Sequence, residues 1–177
     1  MPKSKEKIRI LTYHNVPNNG AVLQNFALQD TLQKEFPSYD VSTLDYIPYK
    51  ISISEILKLF RPYKKAPLFN VKRSLIFKKF IYWEKRLSID SRLPLIRTYK
   101  SMVKFLRRKE YKALIVGSDN IWKIRKGRWT PQYPNIYWPP KGINSKKYSF
   151  AASAYNSDPK LIESNRKSLI ETLEDFN

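Results

Sequence analysis

Three short polar stretches carry the residue types that could do chemistry in this chain. HNVPNNGAVLQ, residues 14–24, holds the only histidine, His14, and leads into a helix that opens at Gly20. The first-turn N–H groups of a helix lack intrahelical partners and favour an anion such as phosphate or carboxylate, and a glycine lets backbone approach a ligand closely. GSDNIW, residues 117–122, sets Ser118, Asp119 and Asn120 directly behind a glycine. SAYNS, residues 153–157, follows a pair of alanines. Each stretch begins where a strand-like run ends, and open α/β sheets bind ligands in the crevice outside the carboxyl ends of their strands.

The elements that must position these loops follow from pattern. Residues 8–14, IRILTYH, read as a buried strand. The helix from Gly20 carries Val22, Leu23, Phe26, Ala27 and Leu28 on one broad face and stops near Phe36, before Pro37 and Ser38. Residues 40–46 form a second strand, closed by Pro48. A helix of this length between two strands implies a parallel, right-handed crossover. Residues 112–117, KALIVG, are a continuous apolar run and so a buried parallel strand. Residues 123–145 are rich in Pro, Gly and aromatics and form an ordered but irregular loop, which Trp129, Tyr133, Tyr137 and Trp138 stabilise. Residues 146–153 are a fourth strand, and Asp158 or Ser157 caps a last helix over 159–175.

Between the second strand and KALIVG lies a helical insertion, residues 50–110. It comprises a short amphipathic helix at 51–60 and a proline-bearing loop at 61–69. A longer helix follows, with Val71, Leu75, Ile76, Phe80, Trp83 and Leu87 on one face. SIDSRLPL is a linker or extended piece, and a helix over 98–110 turns Met102, Val103 and Leu106 inward.

Composition narrows the class. The 177 residues suffice for one domain with a buried core, and 42% hydrophobic with 14% aromatic content excludes general disorder. Without cysteine there are no disulfides and no thiolate metal sites. No run of about 18 apolar residues could span a membrane, and the amino terminus lacks a signal-peptide core. The net charge is +19 and unevenly spread: residues 1–49 hold 5 Lys/Arg and 5 acids, residues 50–110 hold 18 against 4. The basic middle implies attraction to phosphorylated small molecules, an acidic membrane face or nucleic acid.

In order and content the three polar stretches resemble the amino-terminal half of the polysaccharide pyruvyl transferase family. That family opens with a strand, a loop of the type H-x-x-x-N-x-G-A-x-L-Q and a helix. It continues with GSD-x-x-W after a later strand and with a strand ending S-x-A-A-S. The matching residues are His14, Asn18 or Asn19, Gly20, Ala21, Leu23 and Gln24, then Gly117, Ser118, Asp119 and Trp122, then Ser149, Ala151, Ala152 and Ser153. The chain departs from the pattern at Asn120, where the family often has Gln, and in the unusually basic 50–110 segment.

The resemblance implies a Rossmann-like parallel sheet, the first half of a GT-B-like two-domain transferase, with the second half outside these residues and the isolated domain inactive. It implies transfer of pyruvate from phosphoenolpyruvate to a saccharide as a ketal, in exopolysaccharide or cell-wall glycan synthesis. Phosphoenolpyruvate is the co-substrate; no cofactor or metal is implied. The expected catalytic groups are Asp119, which would accept a hydroxyl proton, and His14. Asn18, Asn19, Gly20, Gln24, Ser118, Trp122 and Ser153 would hold the saccharide. The acceptor could be lipid-linked, which places the protein in the cytoplasm, peripheral on the inner face of the cell membrane.

Plainer roles compete. Asp119 could cap the next turn through its side chain. Trp122 could be packing, and Gly20 could serve only the tight turn. A GT-B glycosyltransferase using a nucleotide sugar is the nearest enzymatic rival. A non-catalytic basic module for saccharide or nucleic acid is another, although no nucleic-acid motif is present.

Overall fold

The computed structural model describes residues 5–14, 19–46, 85–91, 93, 98–127 and 132–177. Their strands are β1 (Lys7–Leu11), β2 (Asp40–Leu44), β3 (Ile89–Asp90), β4 (Ala113–Gly117) and β5 (Lys146–Phe150). Their helices are α1 (Asn19–Glu35), α2 (Tyr99–Arg107), α3 (Pro159–Ser164) and α4 (Arg166–Leu173). All five strands are parallel, in the order β3-β2-β1-β4-β5. This is an α/β sheet with helices on its faces. The order reverses at β1, which pairs with β2 on one side and β4 on the other, so the crevice between β1 and β4 is the topological switch point.

Period-two alternation along β1 sends Ile8 and Ile10 to one face and Arg9 and Leu11 to the other. The first pair packs with Val41, Ala113 and Ile115 against Leu28 of α1. Leu11 packs with Leu44, Leu114 and Val116 against Met102 and Leu106 of α2, both fully buried. Burying each such side chain contributes about 1.5–3 kcal/mol. The N-cap of α2 is Thr98, whose hydroxyl accepts from the Ser101 N–H at 3.2 Å, while the Ser101 hydroxyl accepts from the Thr98 N–H at 3.0 Å.

The buried stripe of α1 is more polar than the pattern predicts. Ala21, Val22, Asn25, Leu28 and Gln29 are buried, whereas Leu23 is 52% exposed and Ala27 is also exposed. The polar pair is held inward by specific bonds. The Gln29 amide donates to the Ser88 carbonyl at 2.8 Å and its oxygen accepts from the Ser88 N–H at 2.7 Å. The Thr43 hydroxyl donates to the Asn25 side-chain oxygen at 2.9 Å. Gln29 thus reads the backbone of the segment leading into β3 as a neighbouring strand would.

Of the two readings of SIDSRLPL, the extended piece holds: its Ile89–Asp90 form the edge strand β3. Of the expected insertion, the helix of residues 51–60 and the loop of 61–69 lie outside the described residues, as does most of the 70–87 helix. The expected last helix is two, α3 and α4, broken at Asn165. Asp158 caps the first of them through its carboxylate, which accepts from the Lys160 N–H at 2.9 Å. The strands also end earlier than the patterns suggest, at Leu11, Leu44 and Phe150, because the following residues turn into the rim loops.

Two buried cations hold the sheet's flanks. Arg9, with no exposed surface, donates to Asp90 at 2.9 Å and to the Asp40 carboxylate at 2.8 Å. It also donates to the carbonyls of Asp40 (2.7 Å) and Ile8 (3.0 Å), and it lies over the Tyr111 ring. Lys147 of β5 is equally buried, among the carbonyls of Pro139 and Pro140 and the carboxylate of Asp175. Beyond β5, Phe176 forms a parallel bridge to Lys147.

Removing one partner of a buried pair leaves an uncompensated charge. Arg9→Ala is expected to lower stability by about 3–5 kcal/mol in urea unfolding, since Asp90 has only 5% of its side chain exposed. The double variant Arg9→Met, Asp90→Leu is expected to recover most of that loss, because no buried ion is left unpaired.

Candidate functional site

The carboxyl ends of β1, β2, β4 and β5 form one rim. At the end of β1, Thr12 and His14 are buried. His14 Nε2 lies 3.1 Å from the Asp45 carboxylate, just past β2, and Nδ1 lies 3.5 Å from the Thr12 carbonyl, too far for a strong bond. The network assigns the proton to Nε2, donating to Asp45. With 1% of its side chain exposed, His14 meets the rim only through Asp45, which is 24% exposed. Below this pair three phenols cluster: the Tyr13 and Tyr46 rings sit 4.8 and 5.5 Å from the ring of Tyr137, both edge-on. Burial, and then the neighbouring Tyr46, push the Tyr13 phenol well above its usual range. Burial does the same to Tyr137, with Tyr13 and Tyr46 adding to it. The Tyr137 hydroxyl has no hydrogen-bond partner among the described residues.

Across the switch point, β4 ends in Gly117, where backbone approach is the constraint. A Cβ there would stand 2.8 Å from the Phe150 carbonyl of β5. The turn that follows is strained: Ser118 has φ +149° and Asn120 φ +57°. Such conformations cost about 1–3 kcal/mol each and persist where surrounding structure over-determines them. The strain lifts Asp119 out of the sheet. Its side chain is exposed, and its carboxylate has no hydrogen-bond or ionic partner among the described residues. Asp119 therefore does not cap the next turn. Its N–H donates to the Gln24 side-chain oxygen at 3.4 Å, a contact that reaches from α1 over the crevice. Ser118 is buried, and Asn120 buries an unpaired side-chain oxygen.

The third loop is tied to the second. The Trp122 N–H donates to the Ser153 carbonyl at 3.1 Å. The Ser153 hydroxyl accepts from the Tyr155 N–H at 3.1 Å and so shapes its own turn. The Trp122 indole N–H donates to the Tyr137 carbonyl at 2.9 Å, and its ring stacks on Trp138 at 5.1 Å and meets the edge of Phe176 at 5.5 Å. These contacts occupy Trp122 with packing, and they join the aromatic loop to the rim.

Among the sequence-predicted site residues, Gln24, Ser118, Asp119, Trp122 and Ser153 come together along the β4–β5 side. His14 lies on the other side, engaged by β2 and not by Asp119. Gly20 is exposed in the first turn of α1 and is not among the residues with positive φ. Asn18 lies outside the described residues, as does the side chain of Asn19. Trp129 of the aromatic loop also lies outside them. Sequence reasoning missed Asp45, whose signal was its place in LDY at a predicted strand end. It also missed Asn25 and Gln29, polar residues at the buried spacing of α1. Among the described residues no three His, Asp or Glu side chains gather as a metal site requires.

The phenol cluster gives the fold a pH signature. An unfolded tyrosine ionises near pH 10, whereas Tyr13 and Tyr137 stay protonated well above that when folded. Their contribution to stability is therefore full below about pH 10 and is lost as pH climbs past it, by up to ~1.4 kcal/mol per pH unit for each phenol. Tyr137→Phe is expected to leave stability at pH 7 unchanged or raised, since it deletes an unpaired buried hydroxyl. It is also expected to flatten the alkaline loss; urea unfolding at pH 7 and pH 11 measures both. Comparison with protein-family models, curated proteins and solved structures finds no match to this chain, so the reading of the rim rests on its own geometry.

Proposed function

We propose that this domain is the acceptor side of a polysaccharide pyruvyl transferase-like enzyme. One observation carries the reading. An exposed carboxylate without a partner among the described residues, Asp119, stands at the switch point of an all-parallel sheet, held by a strained turn and by Gln24. Described residues of all three polar stretches meet there: Gln24 of α1 with Asp119, and Trp122 with Ser153.

Ketal formation asks for this chemistry on the acceptor side. Protonation of the methylene carbon of phosphoenolpyruvate leaves C2 with oxocarbenium character. A saccharide hydroxyl then attacks C2 and must lose its proton as the C–O bond forms. Asp119 takes that proton. Attack by the second hydroxyl, whose proton leaves with the departing phosphate, closes the ring. The Gln24 oxygen accepts from the Asp119 N–H, which leaves the Gln24 amide N–H groups to bind saccharide oxygens. His14 holds Asp45 in place at the far side of the crevice, where a second saccharide hydroxyl can donate to it. A nucleotide-sugar transferase would use the same carboxylate, and the choice of donor separates the two. Cytoplasmic localisation with peripheral membrane contact belongs to this same proposal. No helix among the described residues is long and apolar enough to cross a membrane.

The test pairs binding with transfer. Saturation-transfer NMR with acidic and neutral oligosaccharides is expected to show binding that Gln24→Ala weakens about tenfold, the loss of one to two hydrogen bonds. With carbon-labelled phosphoenolpyruvate, a bound acceptor and the two-domain protein that this reading implies, Asp119→Asn is expected to cut ketal formation by about 10²–10⁴ while changing acceptor affinity little. Transfer from a nucleotide sugar but not from phosphoenolpyruvate would favour the glycosyltransferase. Absence of any saccharide binding would remove both readings.

A further inference from the structure

A second feature lies away from the rim, on the outer face of α2. The helix is amphipathic in an unusual way. Met102 and Leu106 are buried, while Lys100, Lys104, Arg107 and Arg108 are exposed and fall within about 100° of one another around the helix axis. Between this row and Pro140 lies an open cleft of about 440 Å³, lined by Tyr99, Lys100, Val103, Lys104, Arg107 and Arg108 with Pro140 opposite. The lining holds four cations and no acid.

Three observations separate this cleft from an ordinary solvated helix face. First, none of the four cations has a carboxylate within ion-pair distance among the described residues. Lys34, Lys112, Lys141 and Arg166 each have one at 2.7–3.6 Å, and although other surface lysines also lack one, here four unpaired cations line one cleft whose lining holds no acid. Second, Arg107 is positioned. It donates to the Lys141 carbonyl at 3.3 Å, and its guanidinium lies 3.8 Å from where a Cβ on Gly142 would stand. Gly142 has φ +80°, so the loop bends back against the guanidinium there. Third, the floor is apolar and aromatic. Val103 and the half-buried Tyr99 lie beside the cations, and the Tyr99 phenol stays protonated because burial, and then Tyr133, outweigh the opposing pull of Arg107.

A row of unpaired cations, one of them fixed in orientation, above an apolar floor with a phenol donor matches a phosphoryl group attached to something less polar. Arg forks suit phosphate oxygens, and lysines supply point charge. We infer that the α2–Pro140 cleft is a binding site for a phosphate monoester or diester, distinct from the rim. The phosphate could sit on a soluble ligand or on a lipid headgroup. The cleft's chemistry is the same for both, and the experiment tells them apart.

Binding is measured on the full chain with three probes: inorganic pyrophosphate by calorimetry, vesicles containing phosphatidylglycerol by co-sedimentation, and a short single-stranded RNA by fluorescence anisotropy. The site variant is Lys100→Gln with Lys104→Gln. Its charge-matched control is Lys34→Gln with Lys112→Gln, both pairs being exposed. Pyrophosphate binding that falls about tenfold in the site variant and less than twofold in the control assigns a soluble phosphate. Vesicle binding with that same contrast, and no pyrophosphate binding, assigns a headgroup. Equal losses in the two variants would show diffuse charge attraction and overturn the site. RNA binding that depends on the site, with neither other probe bound, would overturn the assignment to a small phosphate ligand or a headgroup in favour of a nucleic-acid backbone. No binding of any probe would overturn it outright.

Discussion

A guanidinium buried in the central strand constrains everything around it. Arg9 sits in β1 with no exposed surface, where an unpaired charge would cost several kcal/mol. Its two carboxylates come from Asp40, at the start of β2, and from Asp90, 81 residues along the chain. The second partner explains why so short a strand as Ile89–Asp90 belongs to the sheet. Two residues of ladder could not hold an edge strand by themselves. The ion pair, together with the grip of Gln29 on Ser88, can. The consequence reaches the rim. The Asp45 N–H donates to the Asp90 carbonyl at 3.1 Å, and Asp45 in turn receives His14. A structural charge in the middle of β1 thus sets the position of an acid at the edge of the crevice.

The opposite flank repeats the device with other groups. Lys147 is buried in β5, and its partners come from Asp175 and the Pro139–Pro140 carbonyls. The bond from the Asn177 N–H to the Lys147 carbonyl, at 2.8 Å, adds to the attachment of the last helix to the sheet. Between the anchored flanks β4 carries no ion at all: Ala113, Leu114, Ile115, Val116 and Gly117 are all buried. The close approach of Gly117 to Phe150 keeps β4 and β5 in register up to the point where the strained turn begins. The rim is therefore held from both sides, and the turn that lifts Asp119 rests on its most completely buried strand.

How much of this is legible in the sequence depends on range. KALIVG and IRILTY announce buried strands because every local position agrees, and the parallel order follows from the intervening helix. The polar loops stand out because each follows such a run. What pattern reading misses is non-local. Arg9 looks like a blemish in a strand, since its partners lie 31 and 81 residues away. SIDSRLPL reads as a linker or an extended piece, and not firmly as a strand, because the place of Ile89–Asp90 in the sheet is secured by Arg9 and Gln29 and not by its own residues. Leu23 reads as core because periodicity cannot know that Asn25 and Gln29 find partners inside. His14 and Asp119 both read as site residues, but only the fold shows that one is buried against β2 while the other is free.

The division of charge between structure and chemistry follows from solvation. A buried ion must be paired, so Arg9 and Lys147 are consumed by their partners and cannot act on a ligand. An exposed ion can stay unpaired at little cost, and only such a group is free to meet something new. Asp119 is one: it stands between two strained residues and has no partner among the described residues. The cation row of α2 is another, kept apart from acids by a lining that contains none. The two are opposite in sign and lie on different elements, one on the turn after β4 and one on the helix before it. On the proposed readings, a saccharide hydroxyl meets the first and a phosphate the second. The domain can offer both at once because neither group takes part in holding the sheet together.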